Sequence, residues 1–186
     1  MRAFVAIEIP AEVREALTAL RDQWRQSGAR ASWVRPENMH LTLRFLGEIS
    51  WEQIEQMAVR LAAAYAAMPA LMLAVRGAGA FPNRRKPGVL WVGVQALSGD
   101  LAAVQQCAEE AAHGIGLPPE TKAFHPHITL ARIRDARQIG ALPELIAAAE
   151  HFDGGAFSAG AVSLFESELR PGGPIYRRRR EFHLSC

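Results

Sequence analysis

Apolar and polar positions along the chain predict the same order of elements twice: strand, helix, strand, helix, strand. In the first half we expect a strand at 2–7, a helix at 10–24, a strand from His40, a helix from Ser50 to about Ala67, and a strand at 71–81. Ser50 with Gln53 is typical of a capping box, which predicts the start of the second helix.

The second half repeats this order after the turn-rich linker "FPNRRKPG" at 81–88. We expect a strand at 89–94, a helix at 98–112 with Ser98 as N-cap, a strand around His127, a helix at 136–150 interrupted or restarted at Pro143, and a strand at 156–167. A final strand, at 174–184, has no counterpart in the first half.

The two halves are related by a constant offset. His40 and His127 are 127 − 40 = 87 residues apart, and the same shift places the run 2–7 on the run 89–94. This regularity indicates an internal duplication with a pseudo-twofold axis. We therefore expect one domain over 1–186, with pseudo-repeats at about 1–84 and 88–171 and the extra C-terminal strand at 174–184.

Each half contains a histidine and a threonine two residues apart in a predicted strand: "HLTL" at 40–43 and "HPHITL" at 125–130. Because side chains alternate between the faces of a strand, His40 and Thr42 project together and the leucines point the other way. His127 and Thr129 repeat this arrangement. A pseudo-twofold axis can bring both pairs to one cleft.

Two imidazoles and two hydroxyls that face each other suit hydrolysis of a phosphodiester. A neutral histidine removes a proton from the attacking water and a protonated one donates a proton to the leaving oxygen. The hydroxyls of Thr42 and Thr129 donate hydrogen bonds to the nonbridging oxygens, where negative charge must be stabilised. This chemistry needs no metal and no other cofactor.

The distribution of positive charge along the chain suggests which kind of partner the protein binds. The net charge is only +2, yet all cations except Lys86 and Lys122 are arginines, and they concentrate at 83–87 and 176–181. Arginine matches phosphate oxygens, so these clusters are candidate contacts for an anionic polymer, and a solvated charged face is the alternative.

No apolar run is long enough for a membrane span or typical of a signal peptide, which favours a cytoplasmic protein. Cys107 and Cys186 are expected to be reduced thiols.

The strings "ENMHLTLRFLGE" and "FHPHITLARI" resemble the two-histidine (2H) phosphoesterase superfamily, in particular its branch of RNA 2',3'-cyclic phosphodiesterases, historically called 2'-5' RNA ligases. "RAFVAIEIP", "FPNRRKPGVLWVGV" and "LFESEL...GGPIY" also lie where that family has similar strings, so the resemblance covers nearly the whole chain. It implies an α+β fold with two lobes of antiparallel sheet, flanking helices and a central cleft.

The resemblance also implies metal-independent opening of a terminal 2',3'-cyclic phosphate of RNA to a 2'-phosphomonoester. His40 is then the expected proton donor and His127 the expected proton acceptor, although pseudo-symmetry allows the reverse, with Thr42 and Thr129 holding the phosphate. Arg132 is a further candidate contact, but strict strand alternation places it on the face opposite His127 unless a bulge intervenes.

His125 and Phe124 are the remaining candidate substrate contacts. His125 and His127 are two residues apart, so in a strand both point to the same face and could bind a metal together. Because no cluster of Asp or Glu follows them, we expect no metal. Phe124 is the better placed aromatic residue for stacking on a base, whereas Phe45 shares parity with the buried leucines of the first motif.

Two other functions remain open from the sequence. The same four residues suit a 2'-5' RNA ligase or a phosphodiesterase for small cyclic nucleotides. A noncatalytic RNA-binding module with a basic rim is the third hypothesis. In each case the expected partner is RNA or a small nucleotide, with no membrane, and the protein is expected to be a monomer.

Overall fold

The computed structural model describes residues 1–135 and 137–185, so Ala136 and the predicted thiol Cys186 lie outside the described residues. Its strands are β1 (Arg2–Glu8), β2 (Ala31–Trp33), β3 (His40–Glu48), β4 (Leu71–Phe81), β5 (Val89–Ser98), β6 (His127–Ile133), β7 (Asp153–Ala159), β8 (Ala161–Glu168) and β9 (Ile175–His183). The helices are α1 (Ala11–Arg25), α2 (Trp51–Tyr65), α3 (Leu101–His113) and α4 (Leu142–Ala148), and Pro36–Asn38 form a 3-10 turn before β3.

The strands are ordered β7-β4-β5-β6-β3-β1-β8-β9, with β2 also on β6, and each pairing between them is antiparallel. The first lobe contains β3, β1, β8 and β9, and the second contains β6, β5, β4 and β7 with β2. Counting outward from the centre, β3 matches β6, β1 matches β5, β8 matches β4 and β9 matches β7. The predicted two-lobed, duplicated α+β fold is confirmed.

The lobes meet where β3 runs beside β6. Leu41 pairs with Ile128 there, and these residues are 128 − 41 = 87 positions apart, which is the offset of the duplication. An antiparallel pair of equivalent residues is what a twofold axis through that point produces. Both side chains are fully buried, so the opposite face of the two strands is left for the polar residues of the motifs.

Strands and helices are exchanged between the halves of the chain. β4 belongs to the first half of the sequence but lies in the second lobe, and β8 does the reverse. Two of the helices cross in the same way, since α1 packs against β6 and β7 of the second lobe and α3 packs against β3 of the first. Neither half of the chain therefore has a complete sheet of its own. The exact bounds of the two repeats stay a prediction.

Side-chain caps explain where α2 and α3 begin. Ser50 and Gln53 form the predicted capping box, since the Ser50 hydroxyl accepts from the Gln53 backbone and the Gln53 side chain accepts from the Ser50 backbone. The Ser98 prediction is wrong: α3 is capped by Asp100, whose carboxylate accepts from the Ala103 backbone N–H at 2.9 Å. Pro143 lies in the first turn of α4, where proline is tolerated, which is the predicted restart.

One predicted strand is two strands in the structure. The segment 156–167 falls partly in β7 and partly in β8, with Gly160 between them. β7 joins β4 in the second lobe, whereas β8 joins β1 in the first. The break therefore carries the chain from one lobe to the other, and the final strand β9 occupies in its lobe the outer position that β7 occupies in the other.

A β-bulge in each motif strand changes which side chains share a face. Leu43 has no partner on β1, because its neighbours Thr42 and Arg44 pair with successive residues of that strand. Leu130 is unpaired opposite β5 in the same way, at the offset of 130 − 43 = 87. A bulge places two successive side chains on one side, and Leu43 and Arg44 are accordingly both buried. After each bulge, the side chains therefore point to the opposite face of the strand from the one that strict alternation predicts.

Candidate active site

The histidines and threonines of the two motifs lie on one face at the junction of the lobes. All four side chains are half-buried, whereas the leucine or isoleucine between each pair is fully buried on the core face. Extending the Leu41–Ile128 register by one residue in each direction places His40 beside Thr129 and Thr42 beside His127. Each histidine is thus nearest the threonine of the other motif.

Both imidazole rings are oriented by a backbone carbonyl two residues earlier in the chain. His40 Nδ1 lies 2.7 Å from the Asn38 carbonyl oxygen, and His127 Nδ1 lies 2.6 Å from that of His125. A carbonyl oxygen only accepts hydrogen bonds, so Nδ1 must carry the proton in each ring. In the neutral ring Nε2 is then unprotonated, which leaves it able to accept or return a proton.

His40 lies against an aromatic cluster. Its ring stacks on Phe4 with 4.7 Å between centroids and meets Tyr176 edge-on at 5.4 Å. Burial among these rings lowers the pKa of His40 to about 4, although the hydrogen bond to the Asn38 carbonyl and the negative charge of Glu8 oppose this shift. The charge of His127, when it is protonated, lowers the pKa of His40 slightly further.

His127 has a matching aromatic neighbour in the other lobe. Phe81 meets its ring edge-on with 5.2 Å between centroids. Burial is again the main factor that lowers the pKa of His127, and the charges of Arg132 and His125 lower it further, while the hydrogen bond to the His125 carbonyl opposes them. Both histidines are therefore neutral near pH 7 in the unliganded protein.

The pseudo-symmetry of the site is broken by charge. Glu8 pairs directly with His40 across β1 and β3, and the equivalent position in the other half is Gln95, which is neutral. Arg132 follows the second motif, and its equivalent after the first is Phe45. An anion therefore accompanies His40 and a cation accompanies His127.

Glu8 and Asn38 are fixed by contacts with the C-terminal part of the chain. Glu8 accepts a hydrogen bond from the Ser163 hydroxyl at 3.0 Å and pairs with Arg178 at 3.1 Å. The Asn38 side-chain amide donates to the Pro174 carbonyl at 2.9 Å, while its backbone carbonyl orients His40. The last strand thus helps to hold the surroundings of His40 in place.

The bulges place Arg132 and Phe45 on the site face. Arg132 comes two residues after the unpaired Leu130, is exposed, and lowers the pKa of both His127 and Tyr176 by its charge. Phe45 is 56% exposed, and its ring lies 6.2 Å from that of Phe4. For Arg132 the bulge that its candidate role required is present, whereas the expectation that Phe45 shares the face of the buried leucines is wrong, because each bulge inserts one extra residue.

The two residues that precede the second motif have different surroundings. Phe124 is half-buried and packs against the hydrophobic core, which limits the ring area free for stacking. The side chain of His125 is exposed and lies 6.3 Å from Phe81, while its carbonyl orients His127. Within residues 1–135 and 137–185, no three His, Cys, Asp or Glu side chains are grouped as a metal site would require.

Several residues around the site were not singled out as functional from the sequence. Glu8 is the clearest example of such a residue. The only sequence pattern that pointed to it is that Glu8 shares a face of β1 with Phe4, on a strand next to a motif strand. Tyr176 lies in the final predicted strand, which the repeat read from the sequence did not include, so no sequence pattern linked it to His40. Trp91 supports Phe81 with 5.1 Å between ring centroids, and it lies so close to Gly79 that a Cβ there would be 2.5 Å from the indole.

Each lobe of this duplicated α+β structure supplies one histidine and one threonine to a shared face. The family model for LigT-like phosphoesterases matches residues 7–91 and again residues 92–176. The chain belongs to this family, and the resemblance to the two-histidine phosphoesterases is confirmed.

Similar proteins agree with this assignment over nearly the whole chain. A relative from Aeropyrum pernix named RNA 2',3'-cyclic phosphodiesterase is 37% identical over 161 residues, which cover 87% of this chain and 90% of the relative. The crystal structure of a Thermus thermophilus protein has a TM-score of 0.80 at 27% identity, covering 99% of this chain and 98% of that one. E. coli LigT complexed with 3'-AMP has a TM-score of 0.76 at 26% identity, covering 100% and 98%.

Proposed function

We propose that this protein hydrolyses the 2',3'-cyclic phosphate at the end of an RNA strand to a 2'-phosphomonoester. The observation that carries the proposal is the pair of imidazoles on one face, each with Nδ1 held by a carbonyl and Nε2 left for proton transfer. The names of the similar proteins support the choice of RNA as substrate.

In the proposed reaction, His127 Nε2 removes a proton from water as the water oxygen attacks phosphorus. The bond from phosphorus to O3' breaks, and His40 donates its proton to O3', which leaves a free 3'-hydroxyl and a 2'-phosphate. The hydroxyls of Thr42 and Thr129, with the guanidinium of Arg132, stabilise the charge that develops on the nonbridging oxygens. Both proton transfers are made by side chains, so the proposal involves no metal.

The charge asymmetry supports this division of roles. The carboxylate of Glu8 favours a protonated His40, and the guanidinium of Arg132 favours a neutral His127. Burial opposes the first of these effects, since it lowers the pKa of His40 to about 4 in the unliganded protein. A bound phosphodiester brings a negative charge between the rings, and this charge raises the pKa of His40 in the complex.

The substrate test is product analysis on an oligonucleotide with a 2',3'-cyclic end. We expect a 2'-phosphate product, activity that persists in EDTA, and a loss of about 10²- to 10⁴-fold when either His40 or His127 is replaced by alanine. A 3'-phosphate product would contradict the proposed leaving group, and binding without turnover at any pH would favour the noncatalytic alternative.

The division of roles can be tested with a substrate that needs no proton donor. The substrate is a nucleoside phosphodiester whose leaving group, p-nitrophenolate, departs without being protonated. We therefore expect His40→Ala to lose much less activity on this ester than His127→Ala loses. Equal losses for the two variants on this ester would contradict the assignment of His40 as the acid.

Ligation is a second candidate because the same ring opening, with a 5'-hydroxyl of RNA in place of water as the nucleophile, breaks the bond to O3' and forms a 2'-5' linkage. The crystal structure of E. coli LigT complexed with 3'-AMP shows a nucleotide bound by a relative, which makes small nucleotides a further substrate class to test. Adding an oligonucleotide with a 5'-hydroxyl, and separately a 2',3'-cyclic mononucleotide, to the same assay distinguishes these activities by their products.

We also propose that the protein acts in the cytoplasm as a monomer. Both histidines come from one chain, so the site does not need a second copy. None of the helices in residues 1–135 and 137–185 has the length and apolar character needed to span a bilayer. Light scattering after gel filtration tests the monomer directly.

A further inference from the structure

The two arginine-rich stretches of the sequence have different electrostatic surroundings. The four arginines of β9 each have a carboxylate partner: Arg177 with Glu168 at 3.2 Å, Arg178 with Glu8 at 3.1 Å, Arg179 with Glu166, and Arg180 with Glu55 at 2.7 Å. β9 is the outer strand of its lobe, where charged side chains protect an unpaired edge from other strands. These arginines are therefore largely neutralised within the protein.

The other stretch is a cationic loop, Arg84, Arg85 and Lys86, between β4 and β5. All three side chains are exposed, and no carboxylate in residues 1–135 or 137–185 forms an ion pair with them. The loop has a defined turn, since the Asn83 side-chain oxygen accepts from the backbone N–H groups of Arg85 and Lys86, each at 3.0 Å. Three positive charges are thus held together in solvent.

The cationic loop continues directly from the proposed active site. It begins three residues after Phe81, whose ring contacts His127, and the loop is closed where the Gly88 N–H donates to the Phe81 carbonyl at 2.7 Å. Val89, the first residue of β5, pairs with Arg132. Unpaired positive charge therefore extends from Arg132, beside the histidines, to the cationic loop at the same end of the second lobe.

We propose that the cationic loop binds backbone phosphates of the RNA nucleotides that precede the cyclic end, an inference that rests on the proposed function for its choice of polymer. Only one phosphorus can occupy the site between the histidines, so the phosphates further along the strand need other partners. Arginine and lysine in solvent attract phosphates without reading the base, and binding releases counterions from the nucleic acid. The loop then favours longer strands over mononucleotides.

The matched experiment compares two triple variants that each change the net charge from +2 to +2 − 3 = −1. The loop variant is R84Q/R85Q/K86Q, and the control is R76Q/R177Q/R180Q, which removes exposed arginines that have carboxylate partners. Each protein is assayed on a 2',3'-cyclic mononucleotide and on an oligonucleotide of about ten residues with a cyclic end. Fluorescence anisotropy measures binding of a labelled single-stranded RNA to the same proteins.

We expect the loop variant to lose kcat/KM on the oligonucleotide, to keep it on the mononucleotide, and to bind RNA more weakly than the control. If the loop contacts two phosphates, the salt dependence of oligonucleotide binding has a slope shallower by about 1.4 in the loop variant, because each single-strand phosphate contributes about 0.7. Between 50 and 200 mM salt, wild-type affinity then falls about sevenfold more than that of the loop variant.

Equal oligonucleotide kinetics and equal RNA binding in the loop variant and the wild type would overturn the inference. An equal loss on mononucleotide and oligonucleotide would also overturn it, since the loop would then act through Phe81 and His127. Failure of the wild type to hydrolyse either substrate would instead contradict the proposed function, and the anisotropy measurement would still decide whether the loop binds RNA.

Discussion

Replacing His40 with asparagine is expected to make the protein less sensitive to acid. Asparagine keeps a side-chain N–H that can donate to the Asn38 carbonyl, but it does not titrate. Burial lowers the pKa of His40 to about 4 in the folded protein, whereas an unfolded chain has a histidine pKa near 6.5. Between these two values the unfolded state binds the additional proton.

The sign and size of the effect follow from proton linkage. Because the unfolded state binds more protons in this window, the free energy of unfolding rises with pH between about 4 and 6.5 and is lost as pH falls. For pKa values of about 4 and about 6.5, protonation of the unfolded histidine removes about 2 kcal/mol at pH 5 and about 3 kcal/mol at pH 4. Above pH 7 the contribution is constant.

The assay is urea unfolding, followed by tryptophan fluorescence, of the wild type and His40→Asn from pH 7.5 to pH 4. Other groups titrate in both proteins, so the quantity compared is the difference between their free energies of unfolding at each pH. We expect the wild type to lose about 3 kcal/mol more than the variant by pH 4. His127→Asn is the matched control, with a smaller change because its ring is less buried. If the difference in the free energy of unfolding between the wild type and His40→Asn does not change with pH, then His40 is not buried in its neutral form.

Four further substitutions test the phosphate contacts, the charge beside His40 and the junction of the lobes. Thr42→Val and Thr129→Val are each expected to lower kcat/KM by up to about 10²-fold, since each removes one of several donors to the phosphate, and full activity in both variants would contradict their role. Glu8→Gln removes the anion beside His40, so the fall of kcat/KM at high pH should begin at a lower pH, and an unchanged pH profile would argue against Glu8. Leu41→Ala is expected to lower the free energy of unfolding by about 2–5 kcal/mol in urea titrations, and a loss below about 1 kcal/mol would mean that the junction of the lobes is loosely packed.

Much of the fold could be predicted from local patterns because strand and helix periods and caps are encoded by neighbouring residues. The constant offset between the motifs also predicted the twofold pairing that the Leu41–Ile128 bridge shows. Which lobe each element joins could not be predicted, since β4 and β8 change lobes through pairings between residues far apart in the sequence. Gly160, where one predicted strand becomes two, does not by itself indicate such a crossing.

The core of the candidate site was accessible from the sequence for a similar reason. Alternation over three residues is enough to place His40 with Thr42 and His127 with Thr129 on one face. Prediction failed at Phe45 and left the face of Arg132 open, because both lie two residues after a bulge and a single unpaired residue reverses the later positions of a strand. The bulges depend on the pairing with β1 and β5, which is a property of the sheet and not of the motif.

Two similar histidines can have opposite roles because their surroundings differ in charge. The repeats supply identical His-Thr pairs, and their neighbours Glu8 and Arg132 differ in charge from the equivalent residues Gln95 and Phe45. A duplicated site with a symmetric environment would not distinguish acid from base. The asymmetry outside the motifs is therefore as important for the proposed mechanism as the motifs themselves.

The pH dependence of kcat/KM for a 2',3'-cyclic RNA end, in the wild type and in the alanine variants of His40 and His127, shows whether the two histidines are the acid and the base. We predict a bell-shaped profile for the wild type, which loses its fall at high pH in His40→Ala and its fall at low pH in His127→Ala. A complete bell in either variant would contradict the paired histidines as the acid and base, and an exchange of the two limbs would reverse their roles.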